Sequence, residues 1–269
     1  MSRVRTPSIA PFLAIMTLWQ AIILGIIQGI TEFLPVSSSG HLALAQHLFE
    51  LENLQNFILF NLVCHLGTLT AIFCFFYHSI KEALSFKSLR FWQIVIGTLP
   101  LVPLVFILKP IKSLFDQPQF LGPCFLATAF LLFASMYIMF PVKFSSKTKW
   151  QECLTIGMFQ AAAILPGISR SGATISTAFI LGWQKSEALQ YSFLLAIPAI
   201  IGGAILESIK VFARAESIDV TIFVIGFITS FLFGFLSLWI LIRWVVHDKW
   251  SYFAWYCLCI GLLSTLYFN

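Results

Sequence analysis

Two ionisable residues, Glu32 and Arg170, stand inside apolar stretches of the sequence rather than in the charged connections between them. Gln28 lies four residues before Glu32. At helical spacing the two share a face, so an amide and a carboxylate can point at one ligand or one metal ion. Beyond Pro35 the chain reads Ser37-Ser38-Ser39-Gly40, and beyond Pro166 it reads Ser169-Arg170-Ser171-Gly172. A serine ahead of a helix is a capping residue. The free amides and positive dipole end behind it form an anion site. Two such N-termini brought together, with a guanidinium that grips oxyanions in a bidentate way, make a phosphate cradle. Ser37, Ser169, Ser171 and Thr174 would add hydroxyls to it. His41 follows Ser38 by one turn, and an imidazole there can act as general base, general acid or nucleophile.

Blander readings compete at several of these positions. Gly25, Gly29, Ser39 and Gly172 suit close helix packing, where small residues let backbones approach, and Glu32 with Arg170 could be a purely structural pair. His65, in Phe60-Asn-Leu-Val-Cys-His-Leu-Gly-Thr68, could line the same pocket. His47 lacks such company, and His78 and His247 read as interfacial. Cys64, Cys74, Cys124, Cys153, Cys257 and Cys259 show neither CxxC nor zinc spacing and read as small apolar fillers.

The elements that must position these residues follow from composition. Of 269 residues, 59% are hydrophobic and 10% charged, against about a quarter charged in a soluble chain. Mean hydropathy is +0.92. That excludes a soluble globular domain, a disordered chain, a disulfide scaffold and a nucleic-acid binder. It predicts an all-α polytopic membrane protein with a single membrane domain over 1–269. Six stretches are long enough to cross about 30 Å of hydrocarbon: Phe57–Tyr77, Phe91–Leu108, Phe120–Phe140, Leu189–Val211, Val220–Ile242 and Tyr252–Phe268. Trp92, Trp150, Trp244 and Trp250 fall near their ends, as interfacial rings do. Arg3 and Arg5 precede an apolar run, but the run exceeds the usual 7–15 residues of a signal-peptide core, so no cleavage is expected.

Two regions break the pattern. Trp19–Leu34 and Cys153–Leu165 each run into a Pro-containing break and then a second apolar run, to Phe49 and to Leu181. At 1.5 Å per residue, Cys153–Leu165 reaches only about 20 Å, and short apolar runs of this kind read as re-entrant. Sliding the chain by 132 residues places Gly25 on Gly157, Gln28 on Gln160, Ser37 on Ser169, Ser39 on Ser171 and Gly40 on Gly172. The expectation is a duplication, with a first repeat over 17–140 and a second over 151–269. Each half holds a re-entrant helix–break–helix hairpin plus three transmembrane helices. Because three is odd, the second copy is inverted, a plan in which paired broken helices mark a site near the bilayer midplane.

The two motifs resemble those of the undecaprenyl-diphosphate phosphatase family, the bacitracin-resistance type. Gln28-Gly-Ile-Thr-Glu32-Phe-Leu-Pro-Val-Ser-Ser-Ser-Gly-His41 is similar to the family's first motif, and Pro166-Gly-Ile-Ser-Arg-Ser-Gly-Ala-Thr174 to its second. The resemblance implies a membrane hydrolase that removes the terminal phosphate of a C55 polyprenyl diphosphate, recycling the carrier lipid for peptidoglycan synthesis. It also implies a divalent cation, Mg2+ or Ca2+. By position, Glu32 becomes the essential acid and tentative metal ligand, and Gln28 the position that is Glu or Gln in the family. Ser38 and His41 become candidate nucleophile and base, and Ser169, Arg170 and Thr174 phosphate binders. Gln28 leaves one carboxylate in the cluster, so a metal would rely on Glu32, diphosphate oxygens and water. Attack by Ser38, His41 or water stays open.

The expected partners are the lipid diphosphate, the bilayer and, in a homodimer, a second copy of the chain. Basic residues are fewer on the side of the N-terminus (Arg3, Arg5, Lys109, Lys112, Lys210, Arg214) than on the other (Lys81, Lys87, Arg90, Lys143, Lys147, Lys149, Lys185, Arg243, Lys249). The positive-inside rule therefore puts both termini outside. The resemblance implies the bacterial cytoplasmic membrane, with the site opening to its outer face. The rival reading is a secondary transporter or lipid flippase, because inverted repeats with broken helices are also transporter architecture.

Overall fold

Capping chemistry written in the sequence sets where the short helices start. In the computed structural model, which describes residues 16–49, 51, 55–104, 106, 117–138, 149–211 and 220–268, all regular structure is helical. Helix α1 (Leu18–Phe33) opens on a capping box. The Thr17 hydroxyl accepts from the Gln20 amide, and the Gln20 side chain accepts from the Thr17 N–H at 2.8 Å. The chain then breaks at Leu34–Ser37 and restarts as α2 (Ser38–Leu48), capped by Ser37, whose φ of 70° lies in the left-handed region. After α3 (Gln55–Phe75), α4 (Tyr77–Ala83) and α5 (Leu89–Thr98), the turn Pro118–Phe120 leads into α6 (Leu121–Tyr137). Helix α7 (Trp150–Ala162) ends at the second break, where Gly167 takes φ of 95°, and Ser169 caps α8 (Arg170–Ile180). Helices α9 (Lys185–Val211), α10 (Val220–Val246) and α11 (Trp250–Phe268) complete the chain.

Among the described residues, five helices are long and apolar enough to span a bilayer: Phe57–Phe75, Pro118–Tyr137, Lys185–Leu206, Val220–Val246 and Trp250–Phe268. Between 28% and 50% of each such stretch is buried inside the protein. The rest presents side chains such as Leu232, Phe235, Leu236 and Trp239 outward, a surface whose natural solvent is lipid. The chain is a multi-pass membrane protein. The expected sixth span, Phe91–Leu108, is reached only in part. Its helix is described as Leu89–Leu104, a shorter apolar helix, with a turn at Leu99–Pro100; the end of that stretch lies outside the described residues. Helices α1, α2, α7 and α8 have 16, 11, 13 and 11 residues. At 1.5 Å per residue each falls short of a roughly 30 Å crossing.

Small residues decide which helices touch. α1 lies along α10, and α10 along α3. A Cβ on Gly29 would sit 2.8 Å from the Gly234 N, the Ser230 O and the Phe233 Cβ, and the Ser237 hydroxyl donates to the Gly29 carbonyl at 2.9 Å. α7 meets α5 in the same manner, a Cβ on Gly157 falling 2.2 Å from the Gly97 carbonyl oxygen. Bulky buried residues (Phe33, Ile72, Leu132, Ile156, Ile175, Phe193) fill the core around these contacts. The Trp183 indole donates to Glu152 at 2.9 Å and ties the end of α8 back to the start of α7.

Gly29→Val should therefore force α1 off α10. Overpacking costs about 1–3 kcal/mol, so the unfolding midpoint in detergent should fall by roughly 4–10 °C. Gly203→Ala on α9, where an added methyl meets nothing within 4 Å, is the control and should not lower the midpoint, since alanine is the better helix former.

Candidate functional site

The two breaks abut. A Cβ on Gly40, in the first turn of α2, would lie 2.9 Å from the Gly167 Cα, and one on Gly172 would lie 3.4 Å from the Pro35 Cβ. The Ser171 hydroxyl donates to the Leu34 carbonyl at 3.1 Å, a hydrogen bond from one hairpin to the other. Two long helices hold the breaks from behind. The Thr128 hydroxyl of α6 donates to the Gly167 carbonyl and accepts from the Ser169 N–H, both at 3.0 Å. The Cys257 thiol of α11 lies 3.5 Å from the Pro35 carbonyl.

Glu32 sits at this junction, 7% exposed. Arg170 Nη2 donates to its Oε1 at 2.7 Å. Its Oε2 accepts from the Ser38 hydroxyl at 2.6 Å and from Gln28 Nε2 at 3.0 Å. His65 Nε2 stands 3.8 Å from the same oxygen. A hydroxyl, an amide, a guanidinium and an imidazole from α2, α1, α8 and α3 thus converge on one carboxylate. Two atoms of the cluster are buried without a hydrogen-bond partner, Gln28 Oε1 and Arg170 Nη1. Buried polar groups are ordinarily paired, so an acceptor and a cationic donor are left over where a ligand would meet them.

The other expected site residues have different surroundings. Ser37 and Ser169 spend their hydroxyls on the Gly40 and Gly172 amides and on contacts with Ser39 and Ser171. Thr174 is fully buried, with its hydroxyl against Ser192, at 2.6 Å, and the Arg170 carbonyl. His41 turns away from Glu32. Its Nδ1 meets the Ser37 carbonyl and its Nε2 the Tyr256 hydroxyl, each at 2.7 Å, with the ring stacked on Tyr256 and edge-on to Phe125. Tyr256 and Thr128 carry no local sequence signal for these contacts. Asn61, His65 and Thr68 do, as a polar stripe at i, i+4 and i+7 through an otherwise apolar α3.

A protein-only metal cage does not fit. Among the described residues no group of three or more His, Cys, Asp and Glu could hold an ion. The oxygens present, the Glu32 carboxylate and the partnerless Gln28 Oε1, suit a hard divalent cation that draws its remaining ligands from substrate and water.

The family model described as "Bacitracin resistance protein BacA" matches residues 21–263. The chain belongs to the BacA family. Among its relatives, the "Undecaprenyl-diphosphatase" of Protochlamydia amoebophila (strain UWE25) is 56% identical over 258 residues, covering 94% of this chain and 100% of that protein. The protein of the same name from Methanosphaera stadtmanae is 35% identical, covering 91% and 96%. That of Thermotoga maritima is 38% identical, covering 91% and 98%. The BacA match runs across both breaks and therefore takes in Glu32, Ser38 and Arg170 together.

The Glu32–Arg170 pair carries a stability prediction of its own. Removing one partner of a buried pair leaves an unpaired charge, at a cost of about 3–5 kcal/mol. Arg170→Met and Glu32→Gln should each lower the unfolding midpoint, whereas the double variant should be closer to wild type than the sum of the two. Strict additivity in that cycle would show that the pair is not coupled.

Proposed function

We propose that the chain is an integral membrane phosphatase that hydrolyses undecaprenyl diphosphate to undecaprenyl phosphate and inorganic phosphate. This reaction recycles the carrier lipid for cell-wall synthesis and confers bacitracin resistance. The observation that carries the reading is the Glu32 junction: one carboxylate oxygen takes the Ser38 hydroxyl at 2.6 Å while the other holds Arg170 at 2.7 Å.

The chemistry follows from those contacts. Phosphoryl transfer needs positioning and stabilisation of equatorial oxygens more than covalent assistance. Arg170 Nη1, lacking a partner, is the donor for those oxygens. The first-turn amides of α2 and α8, which no helical carbonyl satisfies, add a positive environment. As the diphosphate competes for the guanidinium, Glu32 is released to take the Ser38 proton. The Ser38 Oγ then bonds to the terminal phosphorus as the bridging P–O bond breaks, and undecaprenyl phosphate leaves with the electron pair. Glu32 hands its proton to that departing phosphate, and water then cleaves the phosphoserine, giving its hydroxide to phosphorus and a proton to the Ser38 oxygen, so that Glu32 and Ser38 return to their starting states. Ser37, Ser169, Ser171 and Thr174 serve by keeping both breaks in shape. His41, with both ring nitrogens engaged, supports α2. A bound Mg2+ or Ca2+ would neutralise diphosphate charge beside Glu32 and Gln28.

The fold reading is an inverted-topology repeat, with re-entrant hairpins over the first (17–140) and second (151–269) halves. Its support is the correspondence of parts at an offset of 132. Ser37 caps Gly40 as Ser169 caps Gly172. Gly25 packs on α10, a Cβ there lying 3.1 Å from the Gly226 carbonyl, as Gly157 packs on Gly97 of α5. Pro35 and Gly167 are each braced by a long helix, α11 and α6. The localisation proposed is the bacterial cytoplasmic membrane with the site opening outward. A homodimer is compatible with the lipid-facing surface.

Phosphate release from undecaprenyl diphosphate in detergent tests the function. Wild type should turn over, and Arg170→Ala and Glu32→Ala should lose at least about 100-fold in kcat. Full activity in either folded variant would sink the assignment. Quenching during turnover, in acid for phosphoserine and in parallel in alkali for acid-labile phosphohistidine, should trap phosphoserine that Ser38→Ala lacks; a phosphohistidine would move the nucleophile to His41, and no adduct under either quench would favour direct attack by water. Exhaustive EDTA should abolish activity, with Mg2+ or Ca2+ restoring it; undiminished turnover after chelation would remove the metal from the proposal.

A further inference from the structure

The site has an imidazole that neither hairpin supplies. His65 lies on α3, one turn beyond Asn61, whose backbone carbonyl is 2.7 Å from His65 Nδ1. A carbonyl only accepts, so Nδ1 must carry its hydrogen there, and Nε2 is the nitrogen left to face the site. Nε2 stands 3.8 Å from Glu32 Oε2, too far for a hydrogen bond and within reach of a charge pair. The His65 side chain is 32% exposed, against 5% for Glu32 and 15% for Arg170, so it forms the open side of the cluster. His41 contrasts with it at each point. Both of its nitrogens make hydrogen bonds at 2.7 Å, and one of its partners, Tyr256, is aromatic stacking as well as polar.

We propose that His65 is a further substrate-binding residue, whose Nε2 hydrogen-bonds the lipid diphosphate beside Glu32 and Arg170. The inference rests on the phosphatase reading and adds a contact from α3 to those of the two hairpins. With Nδ1–H held by the Asn61 carbonyl, Nε2 is the ring atom left to meet a group that enters next to Glu32. A diphosphate also brings more negative charge than one guanidinium, already shared with Glu32, can balance. Because this contact is made before and during transfer alike, its loss should appear chiefly in KM.

The experiment measures initial rates of phosphate release over a range of polyprenyl diphosphate concentrations, with wild type, His65→Leu, His65→Gln and Arg170→Ala in detergent. His65→Leu should raise KM by about tenfold while kcat changes by less than about threefold. His65→Gln keeps an N–H donor at similar reach and should recover most of that loss. A KM for His65→Leu equal to wild type would overturn the inference, as would equal impairment of kcat in the Leu and Gln variants with KM unmoved. Should His65→Leu fail to fold, His65→Asn, whose amide is too short to reach, takes its place with the same expectations. Failure of the underlying reading looks different: wild type would then release no phosphate, or Arg170→Ala would match it.

Discussion

A carboxylate and a guanidinium from positions 138 residues apart, joined at 2.7 Å in a chain surrounded by lipid, govern how the rest of this molecule is arranged. Either charge alone at that depth costs several kcal/mol, so each hairpin is an incomplete element until the other arrives. The remaining contacts at the junction read as means of bringing the two together. Glycines remove side chains where the breaks abut, Ser171 reaches across to the Leu34 carbonyl, and Thr128 supports the second break from behind. Helices α1 and α7 are held at their backs by glycine contacts with α10 and α5, which leaves their polar ends free to meet.

What could be seen in the sequence was whatever depends on near neighbours along the chain. The breaks, the capping serines, the shared face of Gln28 and Glu32 and the apolar spans all follow from local spacing, and the structure places Ser37 and Ser169 as caps where the sequence puts them. Hidden from the sequence was everything set by which helices pack together. His41 is next to the reactive cluster in sequence, yet its ring is claimed by Tyr256, 215 residues away. His65, which the sequence offered only as a residue that could line the same pocket, stands 3.8 Å from Glu32. Thr174 fell on the inward side of α8 and bonds to Ser192. The stripe of Asn61, His65 and Thr68 was the available clue, since polar residues at helical spacing in an apolar span usually face protein. Of the sixth span, Phe91–Leu108, the described part turns at Leu99–Pro100, where proline removes a backbone donor.

The serines divide into two kinds of work. Ser37, Ser169 and Ser171 are nearly inaccessible, and their hydroxyls are committed to holding backbone or one another. Ser38 differs by a single position in the chain. Being the first residue of α2 rather than its cap, it directs its hydroxyl out of the turn and onto Glu32. A helix N-terminus provides both roles in consecutive residues, which is why a second serine follows the one that caps the helix.

Under the duplication proposed above, Ser38 and Arg170 are the same position, each flanked by a serine on either side. A strictly symmetric pair of breaks would bring two hydroxyls together, or two guanidiniums, which would repel at this depth. Divergence at that one position, with Glu32 present in the first half and Ile164 at the matching place in the second, turns a symmetric meeting point into a polarised one. The hydroxyl and the guanidinium then land on opposite oxygens of a single carboxylate. A group transfer needs that asymmetry, because the attacking oxygen and the cation that steadies the phosphoryl oxygens must approach from different directions. In that proposal the duplicated frame supplies the convergence, and the difference between its two copies supplies the chemistry.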